Sequence, residues 1–185
     1  MKELSLNILD IAENSVKAKA SLTEILLNET QTTLTITIKD DGYGMSEETV
    51  KAVSNPFYTT RTTRNVGLGI PLLKMSAEQT GGYVTIKSTE DKNNGSPHGT
   101  TVIAHYNKEH IDFTPLGDVV STVTTLIQGH PDTDFLFLHK KQDKEVRLDT
   151  RELRLILGDG IPLDKYEVLE WIKNELNEQY SDINY

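Results

Sequence analysis

Apolar and small residues recur at helical spacing near the start of the chain. The repeating positions are Leu4, Ile8, Ile11, Ala12 and Ser15. A period of about 3.6 residues is typical of a helix with one face packed against a core, and no glycine or proline interrupts it. The pattern therefore predicts a helix over residues 3–18.

Strand-like patterns follow this helix. Residues 22–27 are mostly apolar, and residues 33–38 alternate between apolar and polar side chains, which is the period of a strand with one buried face. Further helices are predicted over residues 46–53 and 70–79, and further strands over residues 83–88 and 100–106.

The character of the sequence changes after residue 107. Helical patterns cover residues 116–128, 151–157 and 165–179, and a hairpin pattern covers 135–139 with 145–148. We place a boundary within residues 107–114, which divides the chain into a domain at 1–106 and a small α+β module at 107–185. An apolar stripe on the last helix favours packing within the module over a dimer or partner surface. The stripe comprises Val168, Leu169, Trp171, Ile172 and Leu176.

Composition narrows the class of function. The chain has 185 residues, a net charge of −9 and no cysteine. The acidic balance disfavours nucleic acid as a partner, and the lack of cysteine excludes disulfides and thiolate metal sites. The first residues do not have the basic start and apolar run of a signal peptide, and no stretch is long and apolar enough to span a bilayer. We expect a cytoplasmic protein without a membrane partner.

Asp10 and Asn14 form the first candidate site. Residues four apart on a helix share a face, so both side chains point to one side. Asn14 offers a neutral oxygen to Mg²⁺, which prefers oxygen ligands and takes the remainder from water and phosphates. Asp10, one turn earlier, is positioned to orient a water. The alternative is an ordinary solvated helix face.

The second candidate is Asp40-Asp41-Gly42-Tyr43-Gly44, directly after a predicted strand. A carboxylate at a strand end can accept a hydrogen bond from the exocyclic amine of adenine. Glycines at Gly42 and Gly44 allow backbone to approach a flat ring closely. The alternative is a simple Asp-Gly turn.

Two weaker signals lie farther along the chain. Gly67-Leu68-Gly69 opens a predicted helix, and the backbone N–H groups at a helix N-terminus attract phosphate. Thr100 enters a predicted strand, where its hydroxyl can share the adenine with Asp40. Taken alone, the first is a common loop and the second a common start of a strand.

The order of these segments resembles the GHKL superfamily of gyrase, chaperone, histidine-kinase and mismatch-repair ATPase domains. The similarity covers about residues 3–106 and rests on five short segments. They are Asp-Ile-Ala-Glu-Asn (10–14), Asp-Asp-Gly-Tyr-Gly (40–44), Pro-Phe-Tyr-Thr-Thr-Arg (56–61), Gly-Leu-Gly-Ile (67–70) and Gly-Thr-Thr-Val (99–102). Motifs of this kind gain weight from their joint context. The resemblance implies an α+β, two-layer α/β sandwich of the Bergerat type, with a mixed sheet and ATP held under a lid.

The resemblance also implies roles for individual residues. Asn14 corresponds to the Mg²⁺-binding asparagine, Asp40 to the aspartate that reads adenine, and Thr100 to the threonine near the adenine. Lys17 stands where histidine kinases carry a basic residue. The remaining implied ATP-binding positions are Gly42 and Gly44 beside Asp40, Thr59, Thr60 and Arg61 in the lid, with Arg64 as a second candidate for the γ-phosphate, and Gly67, Leu68 and Gly69 at the end of the lid.

The use made of ATP stays open at this level. ATPase branches of the superfamily place a glutamate where this chain has Asp10, which is one methylene shorter and is the candidate base or water-holding group. Because the chain opens on the Asn14 helix, we expect no phosphoacceptor histidine hairpin before it, and none of the histidines has the surroundings of an acceptor. These histidines are His98, His105, His110, His130 and His139.

Three interpretations of the function therefore remain. The protein is a kinase-type subunit acting on a partner protein, a slow ATPase or nucleotide-gated switch, or a scaffold that holds ATP without chemistry. The whole chain also resembles small stand-alone ATP-binding proteins of anaerobic bacteria that are often encoded near iron-only hydrogenases. That resemblance implies a regulatory role with a protein partner that the sequence does not identify.

Overall fold

A computed structural model describes residues 3–53, 68–91, 97–158 and 160–183. The helices in these ranges are α1 (Leu4–Lys17), α2 (Glu47–Val53), α3 (Gly69–Gln79), α4 (Val119–Gly129), α5 (Thr150–Leu157) and α6 (Tyr166–Ile183). The strands are β1 (Leu22–Glu29), β2 (Thr33–Asp40), β3 (Tyr83–Thr89), β4 (Gly99–Asn107), β5 (Asp134–Lys141) and β6 (Lys144–Asp149). Each helix and strand expected from the sequence occurs, with ends that shift by a few residues.

The strands form one six-stranded sheet in the order β3-β4-β2-β1-β5-β6. β1 pairs with β5 in parallel, and the other neighbours pair antiparallel. The sheet is therefore mixed, and the expectation of an α+β fold with a mixed sheet is confirmed. Strand alternation buries one face of the sheet, where Ile25, Ile36 and Phe137 join Leu4 and Ile8 of α1 in the hydrophobic core.

The segment after the predicted boundary extends this same sheet. β5 lies beside β1 along the full length of both strands, and the core cluster includes residues from before and after position 107. Four residues of the apolar stripe on α6 are buried, while Trp171 is 49% exposed. The division of the chain into two units at residues 107–114 remains a prediction.

In the part of the chain that the structure describes, no helix combines the length and the apolarity needed to cross a membrane.

A polar cluster around the buried His139 joins β1, β5 and α6 near the last residue of β1. Oε1 of Glu29 lies 2.6 Å from the ammonium of Lys108, and its Oε2 lies 3.1 Å from Nε2 of His139. Nδ1 of His139 lies 2.9 Å from the hydroxyl of Tyr180. The hydrogen bond with His139, and then the contact with Lys108, outweigh the opposing effect of burial and lower the pKa of Glu29 to about 2. The cluster therefore stabilises the folded state when Glu29 is ionised.

We predict that Glu29→Gln lowers the free energy of unfolding and makes that free energy less dependent on pH in the acidic range. The folded-state pKa of Glu29 lies below its ordinary value of 4.5, so the carboxylate contributes stability above about pH 4.5 and that contribution is lost as the pH falls towards 2. At pH 7 we expect the variant to lose about 2 kcal/mol in the free energy of urea unfolding. Glu178→Gln, an exposed position on α6, is the control. If the free energy of unfolding fell with pH in the same way for wild type and Glu29→Gln, this explanation would be contradicted.

Candidate functional site

A cavity of about 330 Å³ lies between α1, α2, the end of β2 and the start of β4. It brings together five of the residues predicted from the sequence, and a lining of Ile11, Ile38, Val53, Ile70 and Val102 supplies apolar walls. The five predicted residues are Asn14, Lys17, Asp40, Gly44 and Thr100. Asn14 and Asp40 thus line one cavity, although the first lies on α1 and the second at the end of β2.

Asp40 is the buried acidic group of this cavity, with 9% of its surface exposed. Its Oδ1 accepts hydrogen bonds from the backbone N–H groups of Gly42 at 3.0 Å and Thr100 at 3.2 Å. Its Oδ2 accepts the hydroxyl of Ser15 at 2.8 Å. A carboxylate offers about four lone-pair sites, so these three donors leave room on Oδ2 for about one further N–H.

The neighbouring Asp41 has a different task. Its Oδ1 accepts the backbone N–H groups of Ser21 at 2.8 Å and Leu22 at 2.9 Å, and the Ser21 hydroxyl donates to Oδ2. Partial burial opposes ionisation, but these donors together keep the pKa of Asp41 below its usual value. Asp41 therefore anchors the start of β1, while Asp40 faces the cavity.

The glycines beside Asp40 are needed for close backbone packing. Gly44 has a φ of 70°, and a Cβ added there would lie 1.9 Å from the carbonyl oxygen of Thr89. A Cβ added at Gly42 would lie 2.7 Å from the carbonyl oxygen of Ala18. The positive φ at Gly44 also disfavours any L side chain there. The loop after β2 can therefore approach β3 and α1 only with glycine at these positions.

Ser88 organises the wall opposite α1. Its hydroxyl oxygen accepts the backbone N–H of Met45 at 2.8 Å and lies 2.8 Å from Oγ1 of Thr100. The same oxygen lies 3.1 Å from the carbonyl oxygen of Gly99, to which it can donate. Ser88 thereby ties the loop after β2 to the start of β4.

Sequence reasoning missed both serines, Ser15 and Ser88. Periodicity was available as a signal, because Ser15 continues the apolar face of α1 and Ser88 has the inward parity of Ile86 in β3. Periodicity says that a side chain faces inward, but it does not say which acceptor the hydroxyl will meet.

Asn14 lies on the cavity with an uncommitted side chain. Within the described residues its amide makes no hydrogen bond, and no group of three acidic or histidine side chains could hold a metal ion by itself. An amide oxygen as the one protein ligand fits Mg²⁺, which retains waters and uses phosphate oxygens. A metal would thus depend on Asn14 together with a phosphorylated ligand.

Asp10 and the first turn of α3 lie next to each other. A Cβ added at Gly69 would be 3.0 Å from Cβ of Asp10. Asp10 is exposed and is not part of the cavity lining, and Leu68 is 68% exposed. The remaining predicted lid positions, Thr59, Thr60, Arg61, Arg64 and Gly67, lie outside the described residues.

One histidine contacts the loop after β2. Nδ1 of His98 lies 2.7 Å from the carbonyl oxygen of Gly42. His98 follows a polar loop without a recognisable motif, so sequence reasoning did not place it at the site. The contact links the segment before β4 to Gly42, the residue whose backbone N–H donates to Asp40.

Comparison with known proteins gives one family and several relatives. A sequence profile of the family described as histidine kinase-, DNA gyrase B-, and HSP90-like ATPase matches residues 2–110. The chain is 30% identical over 94 residues to sporulation kinase C of Bacillus subtilis (strain 168), a segment that is 50% of this chain and 21% of that protein. It is 33% identical over 78 residues to sensor histidine kinase ZraS of Salmonella typhimurium, which is 42% of this chain and 15% of that protein. The chain thus matches about a fifth or less of the length of these kinases.

Two solved structures share the fold. The Aquifex aeolicus MutL ATPase domain complexed with ADP has a TM-score of 0.54 and 13% identity, over 94% of this chain and 88% of that one. The N-terminal domain of a DNA repair protein has a TM-score of 0.56 and 15% identity, over 86% of this chain and 58% of that one. The likeness to the MutL domain therefore extends across most of the chain.

We predict that Gly44→Ala destabilises the loop that borders the cavity. The substitution adds a Cβ at a positive φ and against the Thr89 carbonyl, so we expect a loss of at least about 2 kcal/mol in the free energy of urea unfolding. Gly129→Ala is the matched control, because nothing lies within 4 Å of the added Cβ and alanine favours the helix. Equal stability of the two variants would show that the loop does not require this conformation.

Proposed function

The chain belongs to the histidine kinase-, DNA gyrase B- and HSP90-like ATPase family, and from this membership we propose that it binds ATP with Mg²⁺ in the cavity between Asn14 and Asp40. The observation that carries the proposal is the remaining acceptor site on the buried carboxylate of Asp40. It borders the same cavity as the uncommitted amide of Asn14.

The adenine end of the proposed site is formed by Asp40 and apolar walls. The exocyclic amine of adenine donates to Oδ2 of Asp40, the oxygen with the remaining acceptor capacity. Ile38 and Val102 supply apolar surface to the ring, which is typical of ligand cavities with a few polar groups that fix orientation. Thr100 adds a hydroxyl near the ring, and Gly42 and Gly44 bring backbone close to it.

The phosphate end of the proposed site is formed by α1 and the start of α3. Asn14 binds Mg²⁺ through its amide oxygen, and Lys17 adds a positive charge at the cavity. Gly69 begins α3, where free N–H groups favour phosphate oxygens. Leu68 contributes backbone there, and Gly67 with Thr59, Thr60 and Arg61 completes the proposed phosphate-binding set.

We further propose that the protein acts as a regulatory, kinase-type ATP-binding subunit on a partner protein. The similarity to segments of sporulation kinase C and of ZraS supports this choice. The alternative is a slow ATPase or a nucleotide-gated switch, and the nearness of Asp10 to Gly69 favours it, because a carboxylate at the proposed phosphate end can act on water.

Incubation with ATP labelled at the γ-phosphate distinguishes the kinase interpretation from the ATPase interpretation. Label transferred to a co-purified protein supports the kinase reading, and transfer should persist in Asp10→Asn if Asp10 only orients water. Release of inorganic phosphate that is lost in Asp10→Asn supports the ATPase reading. If the protein binds ATP and all of the ATP is recovered intact, both reactions are excluded and the protein is a scaffold that holds ATP.

We predict that Asp40→Asn weakens ATP binding at least about thirtyfold. Oδ1 must remain an oxygen because it accepts two backbone N–H groups, so the new amide nitrogen would occupy the Oδ2 position and oppose the amine of adenine. A buried donor facing another donor costs about 2 kcal/mol or more. Calorimetric titration of ATP measures the change.

Asp41→Asn is the matched control for this variant. It makes the same chemical change one residue away, at a carboxylate that binds Ser21 and Leu22. We expect it to lower stability by about 1 kcal/mol and to leave ATP affinity within about twofold. A larger loss of affinity in Asp41→Asn than in Asp40→Asn would contradict the assignment of the adenine site.

We predict that Asn14→Ala removes the effect of Mg²⁺ on ATP affinity. Wild type should bind ATP about tenfold more tightly with Mg²⁺ than without it, because the metal bridges Asn14 and the phosphates. In the variant the two titrations should coincide. Asn177→Ala, an exposed asparagine on α6, should retain the wild-type difference, and an unchanged Mg²⁺ effect in Asn14→Ala would exclude Asn14 as the ligand.

A further inference from the structure

A second cavity of about 530 Å³ lies on the other side of α2 from the proposed nucleotide site. Thr49 and Val53 of α2 line the nucleotide cavity, whereas Val50 and Lys51 line the second one. This short helix therefore forms a partition between the two spaces. The volume is within the range of small-molecule sites, roughly 300–1,000 Å³.

The second cavity is lined by lysines, although the chain as a whole has a net charge of −9. Lys39, Lys51 and Lys87 line it. Lys39 lies 2.7 Å from a carboxylate oxygen of Glu24, but neither Lys51 nor Lys87 forms an ion pair with any residue in the described ranges. Two ammonium groups are thus available to a ligand.

Two carboxylates in the lining offset part of the charge of these three lysines, which leaves a formal charge of +1. The carboxylates there are those of Glu47 and Asp40, and the Asp40 carboxylate is engaged by the donors described above. The strand register aligns Lys87 with Thr101 and Thr101 with Lys39, so the two lysines stand two strands apart, or roughly 10 Å between backbones. Lys39 is paired with Glu24, so the ammonium groups available on this cavity are those of Lys51 and Lys87, and two such groups fit a ligand with more than one anionic group.

His98 adds a directional group to the second cavity. Its Nδ1 lies 2.7 Å from the carbonyl oxygen of Gly42, and a carbonyl can only accept, so Nδ1 carries a hydrogen. Nε2 is then the ring nitrogen left for a ligand, and it donates to an anion when the ring is protonated. His98 lines the second cavity, and Gly42, whose carbonyl it binds, also donates its backbone N–H to Asp40.

We propose that the second cavity binds a small polyanion of the polycarboxylate or phosphate class, held by Lys51, Lys87 and His98. A second nucleotide fits less well, because the described lining offers no Phe, Tyr or Trp for stacking with a base. In addition, an occupant that engages His98 acts on the Gly42 peptide and on α2, and so changes nucleotide affinity. This coupling rests on the proposed function, and it is reciprocal by thermodynamic necessity.

The test is a titration of citrate, and separately of inorganic phosphate, into ¹⁵N-labelled protein without Mg²⁺ at constant ionic strength. We expect saturable shifts of the Lys51, Lys87, His98 and Gly42 amides with at least one probe, and the tighter probe identifies the class. The double variant Lys51→Ala/Lys87→Ala should bind that probe at least tenfold more weakly. Lys165→Ala/Lys173→Ala, which removes the same charge from exposed positions, should bind as wild type does.

Several outcomes would overturn the site. Equal weakening in both double variants would mean that net charge alone attracts the anions. Shifts centred on Asn14 and Gly69 would place the anion in the nucleotide cavity instead, and no saturable shift with either probe would exclude binding.

The coupling has its own readout. ADP affinity measured with the tighter probe at saturation should change severalfold in wild type and should not change in Lys51→Ala/Lys87→Ala. Unchanged ADP affinity in wild type would exclude the coupling. If ADP does not bind at all while the anion-induced shifts persist, the nucleotide assignment fails and the anion site stands.

Discussion

The carboxylate of Asp40 is fixed by three donors from three different parts of the fold. Ser15 donates from α1, Gly42 from the loop after β2, and Thr100 from the start of β4. Because Asp40 is buried, the loss of any of these donors leaves an acceptor without compensation. The same three contacts therefore hold the cavity together and determine the direction in which Asp40 can accept one further hydrogen bond.

The surrounding structure protects this arrangement. Asp41 secures the next residue to β1, so the chain cannot rotate to exchange the two carboxylates without losing the bonds to Ser21 and Leu22. Gly44 allows the loop to pass close to Thr89, and Ser88 fixes that loop to β4. The proposed anion site lies behind this loop and contacts it through His98, which gives a physical route from the second cavity to Asp40.

The elements that depend on local pattern could be predicted from the sequence. The apolar face of α1 and the alternation in β2 follow directly from residue periodicity, and the short segments around Asn14 and Asp40 indicated the family. The donors to Asp40 could not be predicted, because the Ser15 hydroxyl meets its acceptor only when α1 packs across the end of β2. The parallel pairing of β5 with β1 was also beyond reach, since periodicity describes each strand but not its neighbour. Between Asp40 and Asp41 the sequence offers no distinction, and strand parity together with burial decides which of them faces the cavity.

The central claim is that the remaining acceptor site on Asp40 selects an amino group on a purine. The most direct test compares the affinities of wild-type protein for ATP and for inosine triphosphate, which has a carbonyl oxygen in place of the exocyclic amine. We expect the inosine nucleotide to bind at least about thirtyfold more weakly, because two acceptors would then oppose each other in a buried site. Equal affinities for the two nucleotides would contradict it.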